Sequence, residues 1–203
     1  MKNDREGQAA ILTNADYSKI RNKIRSRKYK LLFDIAWYTG ERWGAIVKLR
    51  VADVYNDDGT PREYINFRAR TRKASPKAKA QNADKPKSQR KNRQVPVHPV
   101  LGELLLSYKP DSDCPWLFPC RTFDKPITLR WADDILRAAV EKAGLSAKGI
   151  STHSTRRTFI TNLADKGINL ATIKKITGHT DLKVLSRYIE VSDEDVKRAI
   201  ATL

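Results

Sequence analysis

Cysteine, methionine, histidine and acid are the scarce components of this 203-residue chain. Its two cysteines, Cys114 and Cys120, show neither a CxxC spacing nor a nearby His pair. They therefore give no framework for a structural metal and at most one disulfide, and reduced thiols in a cytosolic protein are expected. No apolar run approaches the roughly 20 residues that a membrane-spanning helix needs, and no lipidation signal is present. No apolar segment follows residues 1–5, so a secretory leader is not expected. Only 23 Asp+Glu stand against 40 Lys+Arg, a formal charge of +17. That surplus opposes self-packing and favours a polyanionic partner, nucleic acid first and an anionic membrane surface second. A hydrophobic content of 40% excludes a disordered basic tail and suits one domain with its own core.

Polar residues 1–10 read as a loose N-terminal segment, and 11–203 as the folded domain. Thr13 is expected to cap a first helix that carries Asp16 in its first turn. A second helix is expected over 28–38, with Leu31, Leu32, Ile35 and Ala36 on its apolar face and Gly40 as its stop. A third begins near Arg42 and carries Ile46, Val47 and Leu49. The cluster Asn56-Asp57-Asp58-Gly59 is a turn. Residues 63–70 alternate as a strand, with Ile65 and Phe67 on one face, and 94–97 form a second strand. Between them, residues 68–93 hold eleven Lys/Arg and one acid, Asp84. Such a segment cannot pack a core and reads as a long basic hairpin loop. Helices are then expected over 100–108, 129–143, 153–166, 170–177, 182–189 and 193–202, with Gly144, Gly167 and Gly178 as punctuation. The fold class is mainly α with one small antiparallel sheet.

Three short patterns carry possible chemistry. Thr39-Gly40-Glu41-Arg42 puts a guanidinium at a helix start, where the dipole disfavours a cation, so another use for it is expected. His153-Ser154-Thr155-Arg156 places His and Arg three residues apart, on one helical face. A proton carrier beside a planar permanent cation suits a phosphodiester. Thr177-Gly178-His179 is followed, nine residues after the His, by Tyr188. Each pattern alone also has an ordinary reading: a solvated Arg at a turn, a helix cap with a surface Arg, and a half-buried aromatic.

Taken in order, Thr-Gly-x-Arg, His-x-x-Arg, Gly-His and the Tyr nine residues later resemble the catalytic domain of the tyrosine recombinase (phage integrase) family. The surroundings match as well: Leu49-x-x-x-Asp53, Val95-Pro96-Val97-His98-Pro99 and Gly167-x-x-Leu170-x-x-Ile173. The resemblance runs from about residue 11 to residue 200. It implies the fold of that DNA breaking-rejoining domain, double-stranded DNA as partner, and transesterification with no metal and no cofactor. Tyr188 would attack phosphorus to form a 3′-phosphotyrosyl bond, and its ordinary pKa of about 10 means that it needs help. Arg42 and Arg156 would clamp the non-bridging oxygens. His153 would take or relay the tyrosine proton, and His179 would donate to the phosphate. A hairpin Lys would protonate the departing 5′-oxygen; Lys87 is best placed by spacing, Lys73 follows, and Lys91 is third. Arg68, Arg70, Arg72, Lys73, Arg90, Lys91, Arg93 and Arg157 are expected to contact DNA, largely at phosphates.

The chain departs from the family pattern at two places. Ala45 stands where the family often has an acid, and Arg157 where it often has a second His. The family's separate N-terminal clamp domain is not expected within this chain. The resemblance further implies self-association on DNA through the tail 192–203, accessory DNA-bending proteins as further partners, and a cytoplasmic site at a prokaryotic nucleoid or a phage or mobile element. Integration or excision, inversion, type IB topoisomerase-like relaxation and non-catalytic DNA binding all remain open on these residues. RNA binding has no motif in its favour.

Overall fold

The computed structural model describes residues 9–69, 92–111, 113–122, 124–179, 181, 185, 197 and 200–201. They belong to two compact units, Met1–Phe159 and Ile160–Leu203.

The first unit opens with α1 (Asn14–Lys23) and α2 (Arg27–Thr39). Thr13 caps α1 as expected: its hydroxyl accepts the Asp16 N–H, and Asp16 reaches back to the Thr13 N–H. Both orphan donors at the helix start are thereby satisfied. The two helices are joined by a buried polar knot. Asp34 on α2, 1% exposed, takes a two-pronged bond from Arg21 at 2.7 and 3.0 Å and another from the Tyr17 hydroxyl at 2.6 Å. Burial and the neighbouring Asp34 carboxylate push the Tyr17 pKa up, so the phenol stays a donor. Its ring stacks on Trp37 and Phe33.

After α2 come a short helix, α3 (Trp43–Ile46), and a 3-10 turn, Val51–Asp53. Strands β1 (Tyr64–Phe67) and β2 (Arg93–Pro96) pair antiparallel, Tyr64 opposite Pro96 and Phe67 opposite Arg93. Ile65, Phe67 and Val95 point into the core, as the alternation predicts. The first strand is shorter than the expected 63–70. At Arg68 the chain leaves the ladder and its guanidinium Nε bonds Asp53 at 2.7 Å. The last bond described at this neck runs from the Ala69 N–H to Asn92. Residues 70–91 of the expected basic loop lie outside the described residues.

Helices α4 (Pro99–Leu106) and α5 (Leu129–Lys142) complete the layer around a core that includes Leu32, Phe33, Ile35, Ile46, Leu101, Leu105 and Leu136. His98 caps α4 by accepting the Val100 N–H and stacks on Tyr38. The third histidine of the chain is thus a structural residue.

The boundary expected at residue 10 moves. Ala10 is 1% exposed and its N–H bonds the Gly149 carbonyl. Leu12 donates to the Thr158 hydroxyl at 2.8 Å, and Arg157 donates to the Ala9 carbonyl. Ala9 and Ala10 are therefore part of the folded unit, held there by Gly149 and by the helix that begins at Ser154. That helix, α6 (Ser154–Asp165), is followed by α7 (Leu170–Thr177). In the second unit Ile160, Ile173 and Leu185 form a small core, with Leu163 and Leu170 against it. Of the helices expected over 182–189 and 193–202, Leu185, Lys197 and Ile200 are described as helical.

Candidate functional site

The site is organised by the turn that ends α2. Thr39 donates its hydroxyl to the Ile35 carbonyl at 2.6 Å and accepts the Glu41 N–H. Gly40 then adopts φ 58°, and its N–H closes on the Ala36 carbonyl. A left-handed residue is needed here, and glycine supplies it without a Cβ penalty. Space makes a second demand: a Cβ on Gly40 would collide with the Phe159 side chain.

Two of the expected catalytic arginines are tied to this turn. Arg156, 4% exposed, donates from Nη1 to the Gly40 carbonyl at 2.9 Å. Arg42 is half-buried at the N-cap of α3, and its N–H bonds Glu41 Oε1 at 2.8 Å. The adjoining Trp43 and Thr155 join the same two segments through an indole N–H to hydroxyl bond of 3.1 Å. His153 is exposed, immediately before α6, and its carbonyl accepts the Arg157 N–H. It therefore sits one helical turn from Arg156, as the His-x-x-Arg spacing requires.

Glu41 is the residue that the motif reading passed over. It is 1% exposed, which for a carboxylate demands matched partners. Oε1 takes the Arg42 N–H and stands 4.0 Å from Arg156 Nη1, and Oε2 pairs with Arg93. Arg93 lies on the inward face of β2 beside Val95, over the Phe67 ring. Burial pulls its pKa down to about 10, still well above neutral, so it remains a cation. The expected role of Arg93 as a DNA contact does not fit a guanidinium only 9% exposed and held by Glu41. The signal was present in the alternation of β2, which puts residue 93 on the same face as Val95.

Two other expected DNA contacts also serve the fold. Arg68 holds Asp53, itself 1% exposed and bonded to the Arg50 N–H, and Arg157 holds Ala9. Lys87, Lys73, Lys91, Arg70, Arg72, Arg90 and Tyr188 lie outside the described residues.

The second unit repeats the local device of the first. Thr177 donates its hydroxyl to the Ile173 carbonyl at 2.7 Å, and Gly178 takes φ 67° with its N–H on the Lys174 carbonyl. His179, 9% exposed, then places Nδ1 2.7 Å from the Thr177 hydroxyl. A hydroxyl has one proton. Since the Ile173 carbonyl can only accept, that proton is committed there, and the bond to His179 must be donated by Nδ1–H. A neutral His179 therefore carries no proton on Nε2, and that atom donates only in the imidazolium form. Among the described residues no group of three or more His, Cys, Asp or Glu could hold a metal ion, and no helix is long and apolar enough to cross a membrane.

The model of the phage integrase family matches residues 6–195, across both units. The chain belongs to the phage integrase family. Among curated relatives, it is 32% identical over 94 residues to the tyrosine recombinase XerD of Caulobacter vibrioides, covering 46% of this chain and 31% of that protein. With the XerD of Brucella suis it shares 27% over 118 residues, 55% of this chain and 38% of the relative. This integrase-family chain thus spans well under half the length of those relatives. Its fold is that of solved recombinase structures. The Tn1549 transposon integrase, in complex with transposon right end DNA, superposes with a TM-score of 0.72 at 19% identity, covering 100% of this chain and 68% of that one. The catalytic domain of bacteriophage HP1 integrase gives 0.61 at 19% identity, over 96% of this chain and 95% of that domain.

Proposed function

We propose that the chain breaks and rejoins double-stranded DNA at specific sites through a covalent bond to Tyr188. The observation that carries this reading is the attachment of Arg42 and Arg156, from segments far apart in sequence, to the single Gly40–Glu41 turn. Two arginines anchored to one turn, Arg156 by its guanidinium and Arg42 by its main-chain N–H, suit the two non-bridging oxygens of a phosphodiester, whose charge grows as a nucleophile adds to phosphorus. In the forward step the Tyr188 oxygen bonds to phosphorus and the 5′-oxygen leaves. The tyrosine proton passes to His153, and a proton from the hairpin Lys, assigned to Lys87, goes to the departing oxygen. The phosphate ester is conserved, so attack by a 5′-hydroxyl reverses the step and rejoins a strand. His179 donates to the phosphate from Nε2 and, with Thr177 holding Nδ1, does so as the imidazolium.

DNA is the partner that the charge of +17 suits, and affinity falls steeply with salt because each neutralised phosphate releases counterions. Arg70, Arg72, Lys73, Arg90 and Lys91 supply phosphate contacts. The tail 192–203 joins protomers on DNA, where accessory DNA-bending proteins assist. The setting is a prokaryotic nucleoid or a mobile element. The test is a circular plasmid carrying two copies of the native site, incubated with the protein in EDTA. Rearranged products with conserved junctions are expected. Relaxation of site-free supercoiled DNA without rearrangement replaces this reading by a topoisomerase one, and binding without strand exchange or relaxation by a non-catalytic one.

A further inference from the structure

We infer that Glu41 is a positioning residue for the phosphate clamp, with Arg93 as the cation that holds it in place. The inference rests on the reading of Arg42 and Arg156 as that clamp. Each carboxylate oxygen plays a separate geometric part. Oε1 receives the Arg42 N–H at 2.8 Å and faces Arg156 Nη1 at 4.0 Å, while Oε2 meets Arg93. All of it happens at 1% exposure for Glu41, 4% for Arg156 and 9% for Arg93. At that depth solvent cannot stand in for a lost counter-charge, and a carboxylate holds a guanidinium far more firmly than it does at a surface.

The arrangement is connected to the clamp twice over. The Arg156 atom nearest Glu41 is Nη1, the atom that also bonds the Gly40 carbonyl. The Arg42 backbone bond fixes where α3 begins, and so where the Arg42 side chain leaves the main chain. Arg93 reaches the same carboxylate from β2, at the described neck of the basic hairpin. Glu41 thus links the turn, the His-x-x-Arg helix and the sheet through one side chain. A salt bridge serving the fold alone would need no bond to the Arg42 N–H and no approach to Arg156.

The test uses the full chain and three variants, Glu41→Gln, Arg93→Met and the double variant. Glu41→Gln keeps shape and removes charge, leaving Arg93 and Arg156 buried without that carboxylate. Arg93→Met removes the holding cation and keeps an unbranched apolar stem against Phe67. Three readouts are taken: the urea midpoint, single-turnover cleavage of a nicked site at saturating protein, and nitrogen-15 NMR of the Arg156 guanidinium without DNA. Glu41→Gln is expected to lose stability, to slow cleavage on the order of 10²-fold and to average the Arg156 signals. The double variant is expected to recover the midpoint, since no buried cation then lacks its partner at residue 93, while cleavage stays slow and Arg156 stays averaged. Recovery of stability and cleavage together in the double variant overturns the inference and leaves Glu41–Arg93 as a fold element. If the wild-type chain itself fails to cleave, the proposed function falls, and the NMR arm still decides: Arg156 signals unchanged in Glu41→Gln refute a positioning role.

Discussion

The Phe159 side chain occupies the space that a Cβ on Gly40 would need, with its Cγ and Cβ atoms 2.6 and 2.9 Å from that position. The contact brings the helix that bears Arg156 against the turn that bears Arg42. Gly40→Ala is therefore opposed twice, by φ 58° and by a clash that ring rotation cannot clear, since the Phe159 Cβ is itself too close. The left-handed conformation costs about 1–2 kcal/mol and the overpacking about 1–3 kcal/mol. Urea denaturation is expected to show a loss of that combined order for Gly40→Ala. Gly40→Ala in a Phe159→Ala background should recover the ring's share of the steric loss, while the share of the Cβ that this replacement keeps, 2.9 Å away, remains. Equal losses in both backgrounds would mean that the ring's close approach carries no energy.

Thr177→Val tests the hydrogen-bond assignment at His179. Valine keeps the shape and deletes the hydroxyl that receives the Nδ1 proton. Nitrogen-15 shifts of neutral His179 should report Nδ1–H in the wild type and a mixture of tautomers, or Nε2–H, in the variant. Thr177→Ser should restore the wild-type pattern. An Nε2–H tautomer in the wild type would reverse the assignment and make the neutral imidazole a donor toward the phosphate.

Asp16 gives the fold a dependence on acid. Burial acts to raise its pKa, but hydrogen bonds from Lys148 and Thr13 outweigh that and hold the carboxyl below its ordinary value. A lowered folded pKa means that the stabilisation is present above the unfolded value of about 3.9 and is lost as pH falls through the folded one. Lys148 is 43% exposed, so the pair contributes about 1 kcal/mol at most. The difference in urea midpoint between the wild type and Asp16→Asn should be steady from pH 7 to 5 and shrink below pH 4. A difference that persists to pH 2.5 would assign the effect to packing.

Much of this architecture was legible in local sequence. The Thr13 cap, the Gly40 and Gly178 stops and the inward Ile65–Phe67 pair follow from rules that act within a few residues, and each is found. The strand end at Arg68 was not legible, because it is set by Asp53, brought close only by the fold. Arg93 shows the limit from the other side. Its place on the inward face of β2 could be read from alternation, yet its charge drew it into the basic loop, since the carboxylate that makes burial tolerable is Glu41. For the site, the ordered motifs singled out Arg42 and Arg156, which the structure ties to one turn, and local rules could not foresee that Glu41 would join both of them and Arg93. The first residues of the domain were also misplaced, because Ala9 and Ala10 are held by Arg157 and Gly149, contacts with no local signature.

The central claim is that Tyr188 carries the covalent bond to DNA. Trypsin cuts after Arg187 and Lys197 and releases Tyr188 within a single ten-residue peptide. The protein is trapped on a nicked native site in EDTA, the DNA is digested, and the peptides are weighed. The mass of a phosphate-linked nucleotide on that peptide, fragmenting at Tyr188 and missing from Tyr188→Phe despite unchanged DNA binding, is the predicted result. A nucleotide on any other residue, or an adduct that survives in Tyr188→Phe, would contradict it.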